Sequence, residues 1–529
     1  MPFCEPVFRG LRGMALGLGF MASAQAGAAD TPSPWFEAGH PSPLARQALD
    51  LLAAAPSHGL NPADYATDAL RQRISQAGSA TDDAMRQRLG QDLQQALTQY
   101  LRDLRQGRVD PRQLGYRFEP PAHASFDPAA VLQQALAAGK LADLAQLPER
   151  AAPALPQYAE LRQAMQGLQA LAGHAAWVQP LPALPRPQPK RPGKLAPGQP
   201  WDGLPRLGER LRLLGDLPAN TALPALYSGP WVDAVKGFQA RHGLTADGVI
   251  GQGTLAALEV KPEARARQIA LNLERLRWTP LTQAPRMVVI NIPEFTLRAY
   301  EVQNGHIAVR HTMRVIVGKS LDTRTPVFDE WMRFIEFSPY WNIPPSIARA
   351  ETVPRLRRDP GYLAREDMEF VHGSGATSTE VTPQVLADVL AGRARIRQRP
   401  GPKNALGEIK FTFPNSEHIY LHHTPSVGLF ERTQRDFSHG CVRVQDPVAL
   451  ALFVLQDMPQ WTEARVREAM AAGQLQTVKL ATPVPVLIAY GTALIKQGQL
   501  HFYPDIYGHD RSLAQAMAQP RAPSSKAAP

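Results

Sequence analysis

The sequence predicts a multidomain α+β protein, with a helical N-terminal region, a small three-helix unit and a β-rich C-terminal domain. Three observations carry this. At 529 residues the chain is longer than one hydrophobic core serves, and about three to four domains are expected. Apolar residues recur at helical spacing up to about residue 171 and at strand alternation from Arg286 onward. Between these regions, residues 179–200 hold prolines 180, 182, 185, 187, 189, 192, 197 and 200, which excludes a helix or a central strand there.

Arg9 and Arg12 precede a short apolar core, Met14 to Ala22. Ala24-Gln25-Ala26 or Ala26-Gly27-Ala28 then fits a cleavage site. Basic flank, apolar core and small residues in that order predict a secretory signal over residues 1–28. The core falls short of the roughly 20 residues a membrane span needs. No later segment is long and apolar enough, so no transmembrane segment is expected after signal removal. The net charge of +10 suits solubility or an acidic partner such as an anionic cell wall. Export takes the chain away from nucleic acid.

Residues 35–176 predict a helical domain. Ser42 and Pro43 open a helix bearing Leu44, Ala48, Leu51 and Leu52. Leu93, Leu97, Leu101 and Leu104 form a second stripe, and Asn61 to Tyr65 reads as a turn and helix start. Residues 177–203 read as a proline-rich linker or surface arm. In 204–260, Leu207, Leu211 and Leu214 suit one short helix, Asp233 to His242 a second closed by Gly243, and Thr254 to Leu258 a third. Residues 284–480 form the β-rich domain, with strands at 287–292, 295–301 and 311–318. Residues 344–407 interrupt it and carry Arg355, Arg357, Arg358, Arg393, Arg395, Arg397 and Arg399. Residues 481–510 read as a segment packing on the helical domain, and 511–529 as a disordered tail.

The chemistry gathers in two segments. IYLHHTP, 419–425, is strand-like, with Ile419 and Leu421 on one face and Tyr420 and His422 on the other. After a loop comes FSHGCVRV, 437–444, ending at a helix start marked by Asp446 and Pro447. Cys4 leaves with the signal, so Cys441 is the one cysteine of the mature chain. A lone thiol in an exported protein points to reactivity. A thiolate is the attacking species, and a nearby imidazole can take its proton. Gly440 frees the backbone beside sulfur, where amides can meet a developing oxyanion. These are the parts of acyl transfer through a thioester.

HHTP followed by SHGCVRV resembles the active-site signature of the L,D-transpeptidases. TRTPVF, 323–328, PYWNIPPSIA, 339–348, RPGPKNALGEIKFTFPN, 399–415, and VPVLIAYGTALIKQGQLHFYPDIYG, 484–508, are similar to the large Gram-negative members. The stretch AVKGFQARHGL…ADGVIG…TL in 204–260 resembles the small three-helix peptidoglycan-binding domain. The resemblance implies a scaffold domain, a peptidoglycan-binding domain and a catalytic domain with a capping subdomain at about 344–407, exported to the periplasm. It implies Cys441 as nucleophile, His422 as general base, His439 as a residue shaping the site, and Gly440 with the Cys441 amide as the oxyanion region. Tyr420, Ser438, Arg443 and Trp341 are the implied substrate-binding residues. Alternation lets only one of His422 and His423 face the thiol. The implied reaction uses no cofactor. Cysteine attacks a tetrapeptide stem and expels D-alanine, and a second stem's amine takes the acyl group to give a 3→3 cross-link. Carbapenems are the implied inhibitors. The implied partners are peptidoglycan stem peptides and glycan, with penicillin-binding proteins or other wall synthases as further ones.

Three rivals share parts of this pattern. With water as acceptor the same site is an L,D-carboxypeptidase, and with a protein amine it attaches a lipoprotein to the wall. A zinc site has ligand types in His422, His423, His439 and Cys441 but lacks CxxC or HExxH spacing. A non-catalytic wall-binding scaffold needs no thiol chemistry at all.

Overall fold

The computed structural model describes residues 33–77, 81–118, 126–186, 191–282, 284–304, 306–321 and 323–521. The expected signal segment and Cys4 lie outside them. The protein is a multidomain α+β molecule. A two-residue hairpin, β1 (Phe36–Glu37) and β2 (His40–Pro41), leads into the helical domain. Ser42 caps the helix Pro43–Ala53, its Oγ accepting from the Ala45 amide at 3.1 Å. The helix Asp83–Gln106 buries Leu93, Leu97, Leu101 and Leu104 completely, so the predicted stripe is the core of this domain.

The proline-rich stretch has no helix or strand between residues 179 and 186 or between 191 and 200 apart from one bridge. It is not a free arm. Leu181, Leu184, Leu195 and Trp201 are buried in the core of the three-helix unit, and Leu195 bridges to Ile250. That unit comprises the helices Leu204–Leu213, Pro230–Arg241 and Gln252–Glu259. A further helix, Pro262–Trp278, follows it and packs on the helix Pro156–Ala170.

The β-rich domain is a sheet closed on itself. Its strands are β3 (Arg286–Asn291), β4 (Thr296–Gln303), β5 (His306–Gly318), β6 (Phe328–Phe337), β11 (Ile409–Thr412), β12 (Leu421–His422), β13 (Asp436–Ser438), β14 (Val442–Val444) and β15 (Gln476–Ala489). The order is β13-β5-β14-β12-β11-β6-β15-β3-β4, and β4 returns to pair with β5. The strands β7 (Trp341–Asn342), β8 (Met368–His372), β9 (Thr377–Ser378) and β10 (Ala394–Gln398) form a separate sheet in the order β7-β10-β8-β9. They give the inserted segment its own core around Leu356, Phe370 and Ile396.

Two expectations for the C-terminus need correction. The segment 481–510 was expected to pack wholly on the helical domain, but residues up to Ala489 form the centre of the sheet. There β15 pairs antiparallel with β6 and parallel with β3. The run Val484, Val486, Leu487 and Ile488 is fully buried, as an apolar strand covered on both faces must be. The hairpin β16 (Ala493–Lys496) and β17 (Gln499–Phe502) meets the helices through Ala493 and Phe502, and Thr492 and Tyr503 beside it bond to Gln268 and Asn272. The tail expected to be disordered from 511 begins inside the helix His509–Ala518. Past that helix Arg521 holds the buried Asp103 of the helical domain at 2.7 and 2.9 Å, and residues 522–529 lie outside the described residues.

Burial leaves several histidines neutral. His58 and His422 are pushed down from 6.5 to about 3 by desolvation, and His242 falls well below its ordinary value for the same reason. The unfolded chain protonates these rings near pH 6.5 and the native protein does not, so protons favour the unfolded state. Stability is present above pH 6.5 and is lost as pH falls toward the folded values, by up to ~1.4 kcal/mol per pH unit for each ring. Denaturant titrations at pH 7.5, 6 and 5 are therefore expected to show falling midpoints before the carboxylate range is reached. Equal midpoints at all three would contradict the burial of these rings.

Candidate active site

The loop that carries Cys441 is held by hydrogen bonds rather than by regular structure. Ser438 Oγ donates to the Cys441 carbonyl at 2.5 Å and accepts from the Gly440 amide at 3.1 Å. Thr325 Oγ1 donates to the Gly440 carbonyl at 2.7 Å, and Thr323 Oγ1 to the Ser438 carbonyl at 3.0 Å. Gly440 has φ +117°, a backbone state open to glycine and costly to other residues. The segment TRTPVF thus braces this loop. Behind it, the Tyr507 hydroxyl donates to the Gly318 carbonyl at 2.6 Å.

Two expected roles change here. Ser438 was expected to bind substrate, yet it is 2% exposed and both its hydrogen bonds go to the loop itself. The Gly440 amide was expected in the oxyanion region, yet its N–H already points at Ser438. Among the described residues, no group accepts from the Cys441 amide. Ser438→Ala leaves a buried carbonyl and amide unpaired and is expected to cost about 1–3 kcal/mol, read as a lowered denaturation midpoint.

The parallel pairing of β12 with β14 sets Leu421 against Val442 and His422 against Arg443, and Val442 N–H donates to the Tyr420 carbonyl. Alternation then places Leu421 and Val442 in the core and Tyr420, His422, Cys441 and Arg443 on the opposite face. Tyr420 and His422 meet ring to ring at 5.7 Å. His423 turns away, against Gly407 and the Glu408 amide, so His422 is the histidine on the thiol's face.

Cys441 is a free, half-buried thiol, with Sγ 3.7 Å from the His418 carbonyl. Burial pushes the thiol above its ordinary value. The Tyr420 amide and hydroxyl and the charges of Lys410 and Arg443 pull it back. Burial holds the Tyr420 phenol protonated, and Cys441, Glu336 and Trp341 are the groups that act on it. His422 is neutral, with burial the first cause and the Arg443 charge the second. Its Nδ1 lies 2.5 Å from the His423 carbonyl, so Nδ1 carries the hydrogen and Nε2 keeps its lone pair. The resting groups are a thiol and a neutral imidazole. The ion pair that a thiolate would form with an imidazolium is absent at rest.

The remaining expected residues are spread around this face. Arg443 is half-buried, and among the described residues its Nε has no hydrogen-bond partner. Trp341 lies on β7 beside Tyr420. His439 points to the inserted subdomain, its Nε2 2.7 Å from Glu351. Several insertion arginines are engaged within the insertion. Arg397 and Arg399 share Glu369, Arg393 holds Asp388, and Arg355 stacks on Tyr362. Sequence reasoning missed Lys410 and Glu336. They join the same face because β11 pairs Lys410 with His422 on one side and with Glu336 on the other.

Residues 285–486 match the L,D-transpeptidase catalytic domain called YkuD. Residues 28–165 match a scaffold domain, and 206–258 a "Putative peptidoglycan binding domain". In three consecutive stretches the chain is therefore similar to a scaffold domain, a peptidoglycan-binding domain and an L,D-transpeptidase catalytic domain. A Haemophilus influenzae protein named "Putative L,D-transpeptidase" is 32% identical over 247 residues, 47% of this chain. The chain spans about half that relative's length, 49%. Among solved structures, a fused Zn-dependent amidase/peptidase/peptidoglycan-binding protein of Clostridium acetobutylicum aligns at 12% identity. That alignment covers 56% of this chain and all of that one, with a TM-score of 0.18. Bd1075 of Bdellovibrio bacteriovorus aligns at 12% identity over 44% and 55%, with a TM-score of 0.16. Neither structural likeness carries an argument.

Proposed function

We propose that this protein is an exported L,D-transpeptidase that joins peptidoglycan stems by 3→3 cross-links through a thioester on Cys441. The observation that carries the reading is the parallel β12–β14 register, which sets Tyr420, His422, Cys441 and Arg443 on one face.

The steps follow from these groups. Substrate closes over the thiol, and its proton passes to the neutral His422 Nε2. Sulfur forms a bond to the carbonyl carbon between the third and fourth stem residues. The developing oxyanion takes the free Cys441 amide as a donor, a contribution of about 3–4 kcal/mol in comparable sites. The imidazolium returns its proton to the leaving nitrogen, the C–N bond breaks, and D-alanine departs. The side-chain amine of a second stem attacks the thioester and loses a proton to His422, and the sulfur leaves. Water in place of that amine releases a tripeptide. The peptidoglycan-binding domain supports the wall as the partner, and that chemistry with the N-terminal sequence supports the periplasm as the compartment. Among the described residues, no helix is long and apolar enough to cross a membrane.

The test is incubation with tetrapeptide-bearing muropeptides and mass analysis of the products. A dimer lighter than two donors by one D-alanine supports the transpeptidase. A tripeptide alone makes the site a carboxypeptidase, and unchanged substrate with bound protein leaves a scaffold.

A further inference from the structure

Lys410 is an unusual residue to find beside a half-buried thiol. Its side chain is only 17% exposed. Its Nζ bonds both carboxylate oxygens of Glu336, at 3.1 and 3.2 Å, and stands 4.7 Å from the centre of the Tyr420 ring. Tyr420 shares the face of Cys441, and the Val442 amide next to that cysteine donates to the Tyr420 carbonyl. Thr412, two residues along the same strand, donates to the same Glu336 carboxylate at 3.1 Å. A lysine ammonium is strongly hydrated and long enough to reach solvent. Here it is folded down between a carboxylate and an aromatic face, so the site holds a cation where one is costly to bury.

We propose that Lys410 is a positioning residue of this site: clamped by Glu336, its ammonium holds the Tyr420 ring under the sulfur and supplies a positive field that favours the Cys441 thiolate. The charged and titratable groups around the sulfur can be named strand by strand. Glu336 lies on β6, Lys410 on β11, His422 on β12 with Tyr420 just before it, and Arg443 on β14. From the inserted subdomain, Glu351 pairs with His439, two residues before the sulfur. His422 is neutral, so Lys410 and Arg443 are the cations that oppose the burial of the thiolate. Glu336 plays two parts with opposite signs. It fixes the lysine in place, and its own charge offsets part of the lysine's field.

The inference rests on Cys441 as the reacting group but needs no wall substrate. The experiment is the rate of iodoacetamide alkylation of Cys441 in the full chain against pH, read by peptide mass mapping. Lys410→Met is expected to move the alkylation midpoint upward by about half a unit or more, the size of one partly offset neighbouring charge. Lys410→Arg, which keeps the charge, retains the midpoint. A merely structural lysine would leave the midpoint in place while lowering stability. An unmoved midpoint in folded Lys410→Met, or an upward move of the same size in Lys410→Arg, overturns the proposal. Should Lys410→Met fail to fold, Lys410→Gln, which is polar and uncharged, decides in its place: an upward move supports the proposal and an unmoved midpoint overturns it. Loss of muropeptide turnover with these midpoints intact would instead count against the transpeptidase reading.

Discussion

Cys441→Ala is expected to lower turnover of a tetrapeptide donor by about 10^3-fold or more, because removing a covalent nucleophile removes the pathway rather than one contact. The fold should survive. Cys441 is half-buried, and the loop is held by Ser438 and Thr325, not by the thiol. His422→Gln is the companion variant, since it keeps a polar side chain in a fully buried place. A loss of about 10^2- to 10^4-fold is expected from removing a general base. The pH profile separates the two roles. His422 stays neutral down to about pH 3, so it places no break near the usual imidazole value of 6.5. Burial holds the thiol protonated, so thiol and neutral imidazole are the working pair and the rate should stay level from about pH 6 to 8. Steady-state rates over that range on folded protein check this. A break centred near pH 6.5 would show an imidazole that titrates in the site.

Glu274→Ala is expected to destabilise the protein by about 3–5 kcal/mol, the usual result of leaving a buried charge without its partner. Glu274 and Arg277 are both fully buried on the helix Pro262–Trp278 and bond at 2.5 Å. They also join domains. Glu274 accepts from the Val109 amide at 2.8 Å, and Arg277 donates to the His58 carbonyl at 2.5 Å and to the Tyr158 hydroxyl at 2.9 Å. Substituting the glutamate therefore strands both the Arg277 guanidinium and a helical-domain amide. Thermal melts should show the loss, and a change below ~1 kcal/mol, the range of an exposed pair, would mean water reaches this network.

The site was legible where chemistry sits in short local strings. The alternation in IYLHHTP assigned the faces of Ile419, Tyr420, Leu421 and His422, and Asp446-Pro447 marked the helix that follows. Lys410 and Glu336 were illegible for a topological reason. Seventy-three positions separate them, with the inserted subdomain between, and only strand register brings them together. Ser438 was misread because a serine beside a nucleophile looks equally suited to substrate or to backbone, and its burial decides. The helix Pro262–Trp278 was not anticipated, since Asn272, Glu274, Arg275 and Arg277 interrupt its apolar stripe although all four are buried. The strand at Val484 to Ile488 was assigned to the wrong neighbour because an apolar run states that it is covered but not by what.

The account stands or falls on a covalent bond at one sulfur. Acid-quenched mixtures of the full chain with a disaccharide-tetrapeptide, followed by intact mass and peptide mapping, read that bond directly. The expected result is a mass gain equal to the donor minus D-alanine, located on the peptide that carries Cys441 and absent from Cys441→Ala. Turnover of the donor with no such adduct, or an adduct on another residue, would contradict it.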